Sequence, residues 1–241
     1  MSTKTNPWRA TLTLYAAART IPPTRGFLAR KSWQTDLRST GPFQTAGAIV
    51  QIPEGRQIFA EGDDTDLFYK VASSVVRICK FLKDGRRQII AFHMAGESFG
   101  FELGLYRQFT AEAVKECTLV CYRRRNIELM AQKDRTVSRQ LLQYAMQGLA
   151  QAQAHSLLLA KPRAAGRIAS FLLDWQSRSN NGAVIQLAMS RQEIGDHLAI
   201  SMETVSRILS QFERDGLIAM PSTRELHLLN TRVLGEMADC K

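Results

Sequence analysis

Between residues 46 and 122, apolar and β-branched positions fall into short runs of strand length. Ile49, Val50 and Ile52 make one run, Ile58 and Phe59 another, and residues 67–71 and 74–83 two more. Turn-forming clusters separate them: Pro53-Glu54-Gly55, Glu61-Gly62-Asp63-Asp64 and Lys83-Asp84-Gly85. Gly and Asp tolerate backbone angles that other residues avoid, so these clusters predict turns. Asp84-Gly85 in particular predicts a hairpin, with residues 89–93 as the return strand. Runs at 111–114 and 118–123 follow. Many short strands at this spacing predict a small antiparallel barrel or jelly roll.

From Arg124 the period lengthens. Residues 126–130 predict a short helix, and residues 136–159 a long one. Leu141, Ala145, Gly148, Ala152, His155 and Leu159 recur at alternating spacings of 4 and 3, which is a heptad seam. Small residues at its centre let another backbone come close. A long helix with one apolar seam needs a partner, and a parallel coiled coil with a second copy of the chain is the expectation. Pro162 disfavours helix at Lys161, so the chain should hinge there. An amphipathic helix over 163–176, a polar loop at 177–182 and a strand over 183–188 come next.

Residues 190–213 carry the most specific pattern. Ser190 followed by Glu193 is a capping box, and it predicts a helix over Arg191–Leu198. Ala199-Ile200 is the turn, and Ser201 caps a second helix with Thr204 at its third position. Ile194, Leu198, Ile200, Val205, Ile208, Leu209 and Phe212 supply the apolar contacts between the two helices, with small Gly195 where they cross. Met202, Glu203, Ser206 and Arg207 are left on an open face in the first two turns of the second helix. Recognition helices touch base edges with such N-terminal residues. Arg207 can donate two hydrogen bonds to guanine, and Glu203 can accept one from cytosine. As i,i+4 neighbours they are also expected to pair, holding Arg207 extended. Ser201, Thr204 and Arg191 complete the candidate DNA-binding set. Residues 218–220 and 225–229, after the turn at Asp215-Gly216, predict a hairpin wing.

Charge alters the picture less than the total suggests. The 241-residue chain has a formal charge of +10, which favours a polyanionic partner. Yet residues 1–45 hold seven basic side chains against the single acid Asp36, whereas residues 161–241 hold ten basic and nine acidic. The case for DNA therefore rests on pattern. Residues 1–45 are expected to be a basic, solvated extension, with a short helix near 12–18. No apolar run approaches bilayer length and no secretory signal is evident, so a soluble cytoplasmic protein without a membrane partner is expected. Cys79, Cys117, Cys121 and Cys240 lack zinc-site spacing and are expected to act as small hydrophobes, apart from Cys240 near the chain end. A barrel metalloenzyme would need clustered His, and the predicted barrel holds only His93; neither catalysis nor a bound metal is expected.

The segment RQEIGDHLAISMETVSRILSQFERDGLI closely resembles the helix-turn-helix of the Crp/Fnr transcription regulators. Gly55-Arg56-Gln57-Ile58-Phe59-Ala60-Glu61-Gly62-Asp63, Gly96-Glu97-Ser98-Phe99-Gly100-Phe101-Glu102 and Gly166-Arg167-Ile168-Ala169 resemble further motifs of that family, so the likeness spans about residues 46–232. Glu203-Thr204-Val205-Ser206-Arg207 is most similar to the FixK and Fnr branches. The resemblance implies an α+β chain: a cyclic-nucleotide-binding-like β-roll at 46–135, a dimerisation helix at 136–160 and a winged helix-turn-helix at 161–241. It also implies a homodimer reading a TTGAT-N4-ATCAA-like palindrome in double-stranded DNA through Glu203, Ser206 and Arg207, and contact with RNA polymerase, most simply as an activator. The effector motifs depart from the family. Phe109 stands where cyclic-nucleotide binders carry the phosphate-holding Arg, and Ala152-Gln153 where they carry Thr-Ser. An apolar ring cannot neutralise a phosphate. Residues 1–78 contain no Cys for an iron–sulfur cluster. A regulator without cofactor or small-molecule effector is expected; the alternative is one gated by a cyclic nucleotide, or by haem on His93 or His155. Redox control through Cys finds no thiol near the second helix, and position 190, beside the first helix, is Ser.

Overall fold

In the computed structural model, residues 47–179 and 183–239 are described. The expected basic extension and its short helix fall outside the described residues, as does Cys240. β1 (Gly47–Ile52), β8 (Cys117–Arg123), β3 (Leu67–Ser73) and β6 (Ser98–Phe99) form one antiparallel sheet in that order. β2 (Gln57–Phe59), β7 (Thr110–Ala113), β4 (Val75–Phe81) and β5 (Arg87–Met94) form the second. The expected hairpin is β4–β5, and Gly85 takes φ +85° in its turn. Ile52, Tyr69, Val71, Val76, Ile78, Phe99 and Leu119 fill the space between the sheets. The result is the antiparallel roll that the strand spacing predicts.

One strand pair departs from the usual inward-outward alternation. Val76 and Ile78 of β4 face the roll interior, but Val75 and Cys79 are buried as well, on the opposite face. A bulge sits where Ile78 pairs with Ala91 and Cys79 with Ile89. The extra residue re-aims β5, so Ile89, Phe92 and Met94 all face outward with Val75 and Cys79. These residues share a core with Ile168, Leu172, Trp175, Ile194, Leu198, Val205 and Phe212 of the C-terminal half.

The helices are α1 (Arg124–Lys133), α2 (Arg135–Ala160), α3 (Ala164–Ser179), α4 (Arg191–Leu198), α5 (Met202–Arg214) and α6 (Thr231–Asp239). β9 (Val184–Gln186), β10 (Ile218–Ala219) and β11 (Glu225–Leu228) form a small sheet in the order β10-β11-β9. α1 is longer than expected at both ends, and α3 runs three residues past its predicted end at Gln176. The polar stretch Ser177-Arg178-Ser179 continues the helix because Arg178 is anchored: its guanidinium donates to Glu97 at 2.8 and 3.0 Å and to the Phe92 carbonyl at 2.5 Å. α2 stops at Ala160 and Lys161 turns extended (φ −64°, ψ 130°), as Pro162 requires. The turn is tied down: the Lys161 ammonium donates to the Ala238 carbonyl and Arg167 Nε to the Lys161 carbonyl.

Candidate DNA-reading surface

α4 and α5 are built as the sequence specifies. Ser190 Oγ accepts the Glu193 N–H at 3.2 Å, and Glu193 Oε2 accepts the Ser190 N–H at 2.7 Å, which closes the capping box. Ala199 takes the left-handed conformation (φ 53°, ψ 46°) and ends α4. Ser201 Oγ accepts the Thr204 N–H at 3.2 Å and starts α5. A Cβ on Gly195 would lie 2.6 Å from the Ile200 carbonyl oxygen, so only Gly fits inside this turn. Ile194, Leu198, Val205, Leu209 and Phe212 are buried as expected, while Ile200 and Ile208 are half-buried.

Met202, Glu203, Ser206 and Arg207 are exposed together on the outer face of α5. The expected Glu203–Arg207 ion pair is not formed among the described residues. Glu203 instead turns to the helix start, where its own N–H and the Ser201 hydroxyl hold its pKa below the usual carboxylate value. Unpaired N–H groups in a first helical turn attract a carboxylate more strongly than a mobile guanidinium one turn on. Arg207 thereby has no hydrogen-bond or ion-pair partner among the described residues. Thr204 is half-buried and its hydroxyl lies 3.1 Å from Ser201 Oγ, so Ser201 and Thr204 serve first as the cap. Arg191 lies partly beneath the wing. Its Nη2 meets Met220 Sδ at 3.4 Å, its buried Nη1 has no partner, and desolvation lowers its pKa. Arg224, on the exposed wing tip, was not singled out by the sequence pattern; it stands free of α5 and donates to the Ala188 carbonyl at 3.3 Å.

On α2 the ends of the expected seam, Leu141, His155 and Leu159, are half-buried, while Ala145, Gly148 and Ala152 at its centre are exposed. Leu141 and Ala145 line a cleft with Phe68 and Phe101. Ala145, Gly148, Ala152 and His155 line a cavity of about 510 Å³ between the roll and α2. Next to that row, Leu142, Met146, Leu149 and Leu157 are 62%, 56%, 51% and 71% exposed. An exposed apolar row thus runs beside the exposed small residues Ala145, Gly148 and Ala152 of the expected seam.

The same cavity is lined by Phe59, Phe99, Phe101, Phe109, Tyr144, His93 and Glu102. Arg107, the guanidinium nearest in sequence to Phe109, is 2% exposed and does not line it. It stacks 4.1 Å above Phe59, donates to the Gly100 carbonyl at 2.7 Å and to the Leu67 carbonyl, and lies 3.5 Å from Glu102. Those carbonyls take one donor on each terminal nitrogen, and the buried Nε has no hydrogen-bond partner among the described residues. His155 donates from Nε2 to the His197 carbonyl at 3.0 Å, and His93 stacks on Phe99 at 5.4 Å. No three His, Cys, Asp or Glu side chains group as metal ligands among the described residues.

Comparison with known proteins gives two family matches: the cyclic nucleotide-binding domain over residues 49–134 and the Crp-like helix-turn-helix domain over residues 166–237. The chain is 37% identical to the nitrogen fixation regulation protein FixK of Rhizobium meliloti over 226 residues, covering 94% of this chain and 100% of that one. It is 39% identical to FixK of Azorhizobium caulinodans over 204 residues, covering 81% and 82%. The solved structure of FixK2 from Bradyrhizobium japonicum superposes with a TM-score of 0.77 at 34% identity, covering 81% of this chain and 98% of that one.

Proposed function

Since the chain belongs to the Crp/Fnr family, as a FixK-type transcription regulator with a helix-turn-helix DNA-binding domain, we propose that it acts as a homodimeric activator that reads a TTGAT-N4-ATCAA-like palindrome without a bound effector. The observation that carries this reading is the outer face of α5: Glu203, Ser206 and Arg207 are exposed together, and Arg207 has no partner among the described residues. Arg207 takes the guanine, Glu203 the cytosine N4, Ser206 a neighbouring edge or phosphate, and Met202 a thymine methyl. Arg224, exposed on the wing, supplies a phosphate contact flanking the bases, and Arg191 at the start of α4 adds positive charge beside them. Two copies joined through α2 place two such faces on a two-fold site about one helical turn apart. Once seated, the dimer touches RNA polymerase, in the cytoplasm where the promoter is.

Support for effector independence comes from Phe109 and Arg107. The first offers no charge to a cyclic phosphate, and the second is buried, does not line the cavity and donates to two carbonyls. The 510 Å³ cavity favours one other reading, an effector held mostly by aromatic contacts.

A mobility-shift assay with the purified ligand-free protein tests the function. Tight binding to the palindrome and weak binding to a duplex altered at the G·C step is expected; equal binding to both contradicts it. In a parallel calorimetric titration with cAMP no heat is expected, and micromolar binding would overturn effector independence.

A further inference from the structure

α4 carries none of the residues assigned to base reading, yet it is heavily tied to the roll. Arg77 of β4 donates to Glu112 of β7 at 2.7 Å and, through Nη1, to Glu193 of α4. Arg87 of β5 donates to Asp196 Oδ2 from Nε at 2.9 Å and from Nη2 at 2.8 Å. Gln88 donates to the Asp196 carbonyl at 2.7 Å. His197 Nδ1 donates to the Ile89 carbonyl at 3.1 Å. His155 of α2 stacks on His197 at 4.3 Å and bonds its carbonyl, which ties α4 to the long helix directly. The four charged side chains bridging roll and α4 are 12–22% exposed.

These contacts converge on atoms that also shape the helix pair. Glu193 uses Oε2 for the capping box and Oε1 for Arg77, so one carboxylate starts α4 and fastens it to the roll. Asp196 lies beside Gly195, whose turn allows no slack between α4 and α5. An angle imposed on α4 is therefore passed to α5. Buried ion pairs add little net stability, because desolvation offsets their attraction, but they specify geometry: the charges tolerate only the arrangement that satisfies them. The β5 bulge supplies the aim, since it turns Ile89 and Phe92 onto the same outer face that carries Arg77.

We propose that Arg77 and Arg87 are positioning residues for DNA recognition: acting through Glu193 and Asp196, they hold α4, and with it α5, at a fixed angle to the roll and to α2, so that the two reading helices of a dimer are preset to one half-site spacing with no ligand bound. The proposal rests on the effector-free dimeric reading above. It assigns to a permanent ion-pair clamp the work that a bound effector would otherwise do.

The test uses the full-length protein and fluorescence anisotropy on three duplexes: the palindrome, the palindrome with one base pair added between half-sites, and the palindrome altered at its G·C step. Arg87→Met keeps the length of the side chain and removes its charge. It is expected to bind the palindrome about tenfold more weakly, as when the competent arrangement falls to roughly a tenth of the population. Its preference for the native over the lengthened spacing should shrink while its preference for the intact G·C step stays. Arg87→Lys, which keeps one charged contact, should recover most of both losses. Asp196→Asn provides the same break from the other side if Arg87→Met does not fold. Folded variants with wild-type affinity and wild-type spacing preference overturn the proposal. So does an affinity loss with unchanged spacing preference, which marks a merely structural role. Wild-type protein that ignores the G·C change overturns the functional reading itself, and this proposal with it.

Discussion

Gly195 and Glu203 show what single residues decide. With the Ile200 carbonyl 2.6 Å from where a Cβ would stand, Gly195→Ala must open the α4–α5 turn. The obstacle is backbone and cannot swing aside, so roughly 1–3 kcal/mol of stability should be lost, as for other overpacked sites. Urea unfolding measures this; an unchanged midpoint would contradict the account of the turn. Gly195, Ser190 and Ser201 were legible in the sequence because each acts within five residues of itself. The Glu203–Arg207 pair was misread for the opposite reason: spacing permits the contact, but the free N–H groups at the helix start compete for Glu203 and win. Arg77–Glu193 was not legible at all, since the partners lie 116 positions apart and only the folded roll brings them together.

At the scale of elements, α2 carries two adjacent apolar rows, and the sequence cannot say which one the chain keeps for itself. The row through Leu141, Ala145, Gly148, Ala152 and His155 has the more regular heptad spacing; its ends Leu141 and His155 are half-buried, and its small central residues are exposed. The row through Leu142, Met146, Leu149 and Leu157 is the more open of the two in its large side chains. Leu141 over Phe68 and His155 on His197 are tertiary contacts, which no periodicity encodes. We propose that the open row is the centre of the dimer seam. Met146→Glu should then weaken dimerisation by about 3 kcal/mol or more, on the order of a hundredfold, since two buried Met side chains are lost per dimer. Sedimentation velocity at micromolar concentration should show monomers; an intact dimer would move the seam elsewhere. The strands and the α4–α5 pair, by contrast, were legible to within a few residues, because turn chemistry and capping mark their ends locally.

Across the whole molecule, the roll and the winged helix share a core, where the sequence suggested two bodies joined at a hinge. That junction should respond to acid. Burial, then the charge of neighbouring His155, pushes His197 down to about 3, so the folded protein holds it neutral. An unfolded His titrates near 6.5. Stability from this site is fully present above pH 6.5 and falls by up to about 1.4 kcal/mol per pH unit as pH drops from there toward 3. Glu97 acts in a lower window: burial alone would raise its carboxyl, but the His93 ring 3.6 Å away and the hydrogen bonds from Arg178 prevail and bring it to about 2. Its contribution persists above pH 4.5 and is lost between there and 2. Thermal unfolding followed from pH 8 to pH 5 should therefore show a declining midpoint, and a His197→Phe variant a flatter profile; identical profiles would contradict the role given to His197. The central claim is that α5 reads DNA through Arg207, and a double comparison tests it most directly: affinities of wild type and Arg207→Ala for the intact palindrome and for the duplex altered at its G·C step. The account predicts that Arg207→Ala loses roughly 1–3 kcal/mol of discrimination at that step and little affinity for the altered duplex. An equal loss on both duplexes would make Arg207 a phosphate contact and contradict the reading.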